Sequence, residues 1–147
     1  MEEYNVLVLM EKDKENGFLT DTIDSYAIDS GAEGLRLVEG IYLLEEPDGY
    51  NVFLTLTTED VEDWEYYGMY ELYDEEIYSG LDVEVLDGSG EYNPRWIIRF
   101  GYSEDRQLVG DMINRIITLH KNELERIRPL LQADKERFMA ESSEEEN

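Results

Sequence analysis

The 147-residue chain has no cysteine, three prolines, one histidine, and 12 lysines and arginines against 37 aspartates and glutamates. The missing thiols exclude a disulfide framework, a zinc–thiolate centre, an iron–sulfur cluster and a cysteine nucleophile. Bases are absent altogether from Leu37 to Pro94, a stretch that holds 17 carboxylates. Direct nucleic-acid binding is therefore not expected, because its dominant affinity term sets cations against phosphate, and binding to an anionic membrane is not expected on the same ground. Long apolar runs are missing too. After an acidic opening, the run Val6 to Met10 has five residues, too few for a signal peptide or a membrane span, so a cytoplasmic protein is expected.

What is present is acid, aromatic side chain and a sufficient apolar fraction. The formal charge is -25, and residues 1–94 hold 26 acids against three bases, whereas residues 95–147 hold 11 acids against nine. The surface formed by the first part should carry a strongly negative field. With 41% hydrophobic and 12% aromatic residues the chain is not a disordered acidic polymer. At this length about 70% of the unfolded surface is buried on folding, enough for one core without disulfide or metal. A single acidic domain over 1–140 is expected, followed by a disordered acidic tail over 141–147.

Through residue 102 the pattern reads as short strands. Tyr4–Glu11 and Phe18–Ile28 flank a polar stretch ending in Asn16-Gly17, which suits a turn with positive φ. Asp29–Gly34 reads as a loop, and Leu35–Glu45 as a strand running into the turn Glu46-Pro47-Asp48-Gly49. Beyond it Val52, Leu54 and Leu56 alternate with Asn51, Phe53, Thr55 and Thr57, predicting a hairpin over 41–57. Glu59–Asp63 suits a single helical turn, Trp64–Tyr73 an aromatic strand and Asp82–Leu86 a short strand. A turn at 87–90 precedes Arg95–Tyr102, which puts Trp96, Ile98, Phe100 and Tyr102 on a core-facing side and Arg95 and Arg99 opposite, where they can pair with carboxylates across the strands.

From Ser103 the period changes. Ser103-Glu104-Asp105 reads as a helix start, and Val109, Met112, Ile113, Ile116, Ile117, His120, Leu124 and Ile127 form one apolar stripe on a helix of about six turns. Pro129 should end or kink it, with a helical continuation over 130–140. The fold class predicted is α+β: a curved antiparallel sheet or partial barrel of about six to seven strands followed by one long C-terminal amphipathic helix. In element order this resembles pleckstrin-homology-like barrels and helix-grip folds. The likeness is to order alone and implies no function, and helix-grip domains carry helices after the first strand that have no counterpart between Phe18 and Leu35.

No catalytic residue, metal ligand or cofactor is expected. His120 lies on the apolar stripe and reads as a structural histidine. The serines lack a nucleophile elbow, and Gly31–Gly34 and Gly88–Gly90 lack the spacings of phosphate-binding loops. Neither Gly17 nor Gly88 sits in the register of a calcium loop. Carboxylates remain, but with 37 of them some pair meets the spacing of a glycoside hydrolase by chance.

The distinctive segment is 59–78, which interleaves nine acids with five tyrosines and Trp64. A half-buried aromatic strand with a solvated acidic face accounts for it without function. Read as a functional surface, it docks a basic protein, with partner-binding residues Glu59, Asp60, Glu62, Asp63, Trp64, Glu65, Tyr67, Glu71, Asp74, Glu75 and Glu76. A sharper form is nucleic-acid mimicry, with strand carboxylates about 6.6 Å apart along one side. The alternatives are a small-molecule carrier with a cavity between sheet and helix, and, last, a carboxylate hydrolase. A homodimer, basic helix against acidic sheet, is a further possibility.

Overall fold

The computed structural model describes residues 5–88 and 93–145, the side chains of 143–145 excepted. Six strands form one sheet: β1 (Val6–Lys12), β2 (Leu19–Ala27), β3 (Val38–Glu46), β4 (Gly49–Leu56), β5 (Glu84–Asp87) and β6 (Trp96–Gly101), in the order β2-β1-β3-β4-β6-β5. Four helices, α1 (Gly31–Leu35), α2 (Asp63–Leu72), α3 (Arg106–Ala133) and α4 (Lys135–Glu145), and a 3-10 turn at Glu75–Tyr78 complete the regular structure of the described residues. This is the α+β class, with a mostly antiparallel sheet and the long helix near the C-terminus.

The strand pattern works as local chemistry dictates. The 41–57 hairpin forms, and its turn closes at Gly49, whose φ of 126° no side chain adopts cheaply. Alternation puts Val52, Leu54, Leu56 and Ile98 at 0% exposure, with Trp96 and Phe100 at 4%, in one core with the stripe of α3. The opposite face carries Tyr42 stacked on Phe53, ring centroids 5.1 Å apart. Arg99 there reaches Glu46 at 2.8 Å, Asp48 at 3.1 Å and Glu84 at 3.3 Å, while Arg95 pairs with Glu39, so both arginines are held by carboxylates as anticipated.

Several expectations need correction. The segment 64–73 is not a strand but α2 and its C-cap. Its buried residues Trp64, Gly68 and Met69 recur at helical spacing, and a capping box between Glu62 and Glu65 starts it, so tertiary burial overrides the strand preference of its aromatics. The helical turn anticipated at 59–63 is instead an irregular approach to α2. One pair, β1 with β3, is parallel, because the chain leaves β2 through α1 and returns on the far side of β1. The loop at 29–34 thus contains most of α1.

α3 is longer than the stripe suggested: 28 residues, about 42 Å. Pro129 lies inside it at an exposed position, and the helix runs on to Ala133. The helix is interrupted at Asp134, and α4, which follows directly, packs against α2. The tail expected from 141 is helical through Glu145, with Ser142 buried. Tyr4, Ser89 and Gly90, on which a strand start and a turn were placed, lie outside the described residues.

α2 meets its neighbours closely because Gly68 has no side chain. A Cβ there would stand 2.4 Å from Leu131 Cδ2 and 3.0 Å from Phe138 Cδ2. Gly68→Val is therefore expected to destabilise the fold by about 1–3 kcal/mol despite valine's better helix propensity, a loss readable in the urea midpoint. An unchanged midpoint would mean that α2 does not press against α3 and α4 at this point.

Candidate protein-binding surface

The acids of 59–76 are placed by three fasteners. Thr57 is pinned twice, its backbone N–H donating to Leu37 O at 2.8 Å and its side-chain Oγ1–H to Pro94 O at 2.9 Å. The Asn93 side chain then accepts from Val61 N–H at 3.2 Å and donates to Asp60 Oδ1 at 3.1 Å. At the other end, Tyr70 Oη accepts from Arg95 N–H at 2.9 Å and ties α2 to the sheet.

Within this frame the anticipated contact residues divide. Glu62 accepts from Trp64 Nε1–H at 2.6 Å, and its own N–H donates to Glu65 Oε1 at 3.1 Å, so both glutamates are spent in part on starting α2. Trp64 is buried beneath Lys135, whose ammonium lies 5.3 Å from the ring centroid, and offers little to a partner. Tyr67 is half-buried, edge-on to Tyr66. Glu71 pairs with Arg137 at 2.9 Å, and Asp74 accepts from Glu76 N–H at 3.0 Å. Glu59, Asp63, Glu75 and Glu76 are exposed, and their carboxylates accept no hydrogen bond among the described residues. Because 64–73 is helical, the strand array on which phosphate-like spacing rested does not form.

Glu59, Asp60 and Glu65 also line a surface groove of about 240 Å³ between the 58–61 loop, α2, α1 and α3. Its apolar lining comes from Leu37, Val61, Met69, Leu124 and Leu131. α3 supplies a mixed rim of Lys121, Glu125, Arg128 and Gln132, with Lys121 held by Glu33 of α1 at 3.0 Å. Sequence reasoning missed this rim, although the spacing 121, 125, 128, 132 is a polar helical stripe beside the apolar one. Of the residues between which a carrier's cavity was sought, Trp96 lines none of the three grooves described, Phe100 lines a different one from Leu124 of the α3 stripe, and no groove joins the two.

Beneath the surface runs a buried polar chain. His120, fully buried, places Nε2 2.7 Å from Thr57 O and Nδ1 2.8 Å from Tyr73 Oη, which lies 2.6 Å from Tyr78 Oη. A carbonyl only accepts, so Nε2 carries the proton, Tyr73 donates to Nδ1 and Tyr78 donates to Tyr73. Burial pushes the imidazole pKa down to about 4 and raises both phenols, keeping all three groups neutral at pH 7. Glu123 lies beside them. Burial raises its pKa, but the hydrogen bonds from Arg126 and from Asp74 N–H outweigh that and hold it below the usual carboxylate range. Both imidazole nitrogens are thus committed, and the ring anchors the start of the acidic loop through Thr57.

Six bases, Arg95, Arg99, Arg106, Lys121, Arg126 and Arg137, are already ion-paired within the chain. Among the described residues no group of three His, Asp or Glu side chains is arranged to hold a metal ion, and no helix is long and apolar enough to cross a membrane.

These features define an acidic α+β domain with an exposed carboxylate surface beside a small groove. Residues 1–139 match the model of a family of unknown function, DUF6762, and the chain belongs to that family. No curated protein and no solved structure matches it.

Proposed function

We propose that this chain is a non-enzymatic binding protein that takes a basic protein partner through the 59–76 surface, as an inhibitor, immunity protein or chaperone does. The observation that carries the reading is the set Glu59, Asp63, Glu75 and Glu76: four exposed carboxylates without partners among the described residues, in a chain of net charge -25. Charges spent on internal pairs are poor recruiters, since a partner has to displace the existing pair to use them. Uncommitted ones steer encounter and pair on contact. With half of its 12 bases already paired internally, the chain has few cations to offer a second copy of itself, so a heterologous basic partner fits better than a homodimer. The reading sets this encounter in the cytoplasm.

Selection of displayed random peptides on the wild type, counter-selected on Glu59→Gln/Asp63→Asn/Glu75→Gln/Glu76→Gln, tests it. Glu62 is left intact because it starts α2 and holds Trp64. Arginine- and lysine-rich sequences are expected. A neutral or acidic consensus contradicts the reading. The selected peptides are also expected to lose affinity as sodium chloride rises from 50 to 500 mM, because the interacting charges are exposed and the Debye length shortens over that range. Affinity independent of salt points to apolar contact instead.

A further inference from the structure

We infer that the groove between the 58–61 loop, α2 and α3 is the anchor pocket of this surface and seats an arginine of the partner, with a neighbouring aliphatic side chain on its apolar lining. The inference rests on the acidic-surface reading and assigns its point of specificity.

Size is the first argument. At about 240 Å³ the groove falls below the roughly 300–1,000 Å³ typical of small-molecule sites, so it suits a protruding side chain better than a whole cofactor. Chemistry is the second. An arginine has an apolar stem and a planar charged end, and the groove offers the matching pair, Met69 and Leu124 for the stem and carboxylates for the guanidinium.

Preorganisation is the third argument. Asp60 is fixed through Oδ1 by Asn93, and Glu65 through Oε1 by the N–H of Glu62. Each has its second oxygen without a partner among the described residues, and Glu59 beside them has both. Three carboxylates on one wall, two of them already immobilised, match a forked donor at little further ordering cost. On the facing wall Lys121 is neutralised by Glu33, so of the described lining residues Arg128 alone opposes an incoming cation.

The test is fluorescence anisotropy with two labelled short peptides, one alternating arginine and leucine, the other with citrulline, the uncharged isostere, in place of arginine. Three variants are compared with the wild type. Gln132→Trp fills the groove from an exposed position without changing charge. Glu59→Gln/Glu125→Gln removes two groove carboxylates, and Asp63→Asn/Glu76→Gln removes two outside it. Thermal melts confirm that each is folded. The groove-filling and groove-acid variants are each expected to weaken the arginine peptide about tenfold, the outer pair less than about twofold, and the citrulline peptide is expected not to bind.

Equal weakening by both acid pairs with no effect of Gln132→Trp overturns the anchor pocket but leaves the acidic surface standing, since the attraction is then diffuse. Citrulline bound as well as arginine overturns the assignment of the occupant. No binding of the arginine peptide by the wild type contradicts the pocket and the acidic-surface reading together.

Discussion

Phe138→Ala is expected to cost about 3–5 kcal/mol, the range for removing a buried phenylalanine. The ring is at 0% exposure, packed where Gly68 brings α2 closest to α3 and α4. Truncation leaves a cavity that the rigid meeting of three helices fills poorly, so the loss should fall at the high end of core substitutions. In a chain of this length each kcal/mol lowers Tm by about 2–4 °C, so a fall of roughly 6–20 °C is expected. The consequence reaches the surface. α2 rests on α4, and with α4 loosened the amide protons of both helices should exchange faster while those of β4 keep their order of protection. Arg137→Gln, which removes exposed ion pairs and the guanidinium 4.4 Å from the Phe138 ring centroid but leaves the ring itself in place, is the control and should cost much less. A Phe138→Ala variant as stable as that control would show that α4 does not dock.

The second large effect is the pH dependence set by His120. Its folded pKa, about 4, is below the ordinary 6.5, because burial penalises the imidazolium. The unfolded state therefore binds the proton more readily. The contribution of the neutral ring is fully present above pH 6.5 and is lost as pH falls from there towards 4, at up to about 1.4 kcal/mol per pH unit, or about 3 kcal/mol over the window. His120→Gln keeps one donor for Thr57 O and one acceptor for Tyr73 Oη but has nothing to titrate. At pH 7 that variant should be less stable than wild type by about 1–3 kcal/mol for imperfect geometry. Between pH 7 and 4.5 the gap should close or reverse, because carboxylate titration and the relief of self-repulsion act on both proteins alike. Urea midpoints at the two pH values measure it. A constant gap would mean that His120 does not stay neutral in the fold.

Sheet and long helix were legible in the sequence because their signals are local and periodic. Val52, Leu54 and Leu56 face the core in strict alternation, and the stripe from Val109 to Ile127 points inward at helical spacing. α2 was misread because Trp64–Tyr73 is short and aromatic, and such a window takes its structure from what covers it. The cover is α4 over Gly68, a pairing more than sixty residues apart that no local pattern carries. The parallel β1–β3 pair is likewise a matter of where the chain crosses, and the register of β1 gives no hint of it. For the surface, acid abundance was visible but availability was not. Glu62 and Glu65 start a helix, Glu71 holds Arg137, and Trp64 lies inside, so the exposed, uncommitted set emerges only once internal partners are known. The groove joins 58–61 to 121–132, and the sequence alone showed just one of its walls.

We propose that these exposed carboxylates, unpaired among the described residues, recruit a basic protein. Affinity capture from the native host's lysate at about physiological salt, with wild type beside Glu59→Gln/Asp63→Asn/Glu75→Gln/Glu76→Gln and captured proteins identified by mass spectrometry, tests it most directly. The expected result is a basic protein retained by the wild type and lost from the variant. Equal recovery of the same proteins by both baits would contradict it and leave the acidic surface with no role beyond keeping the chain in solution.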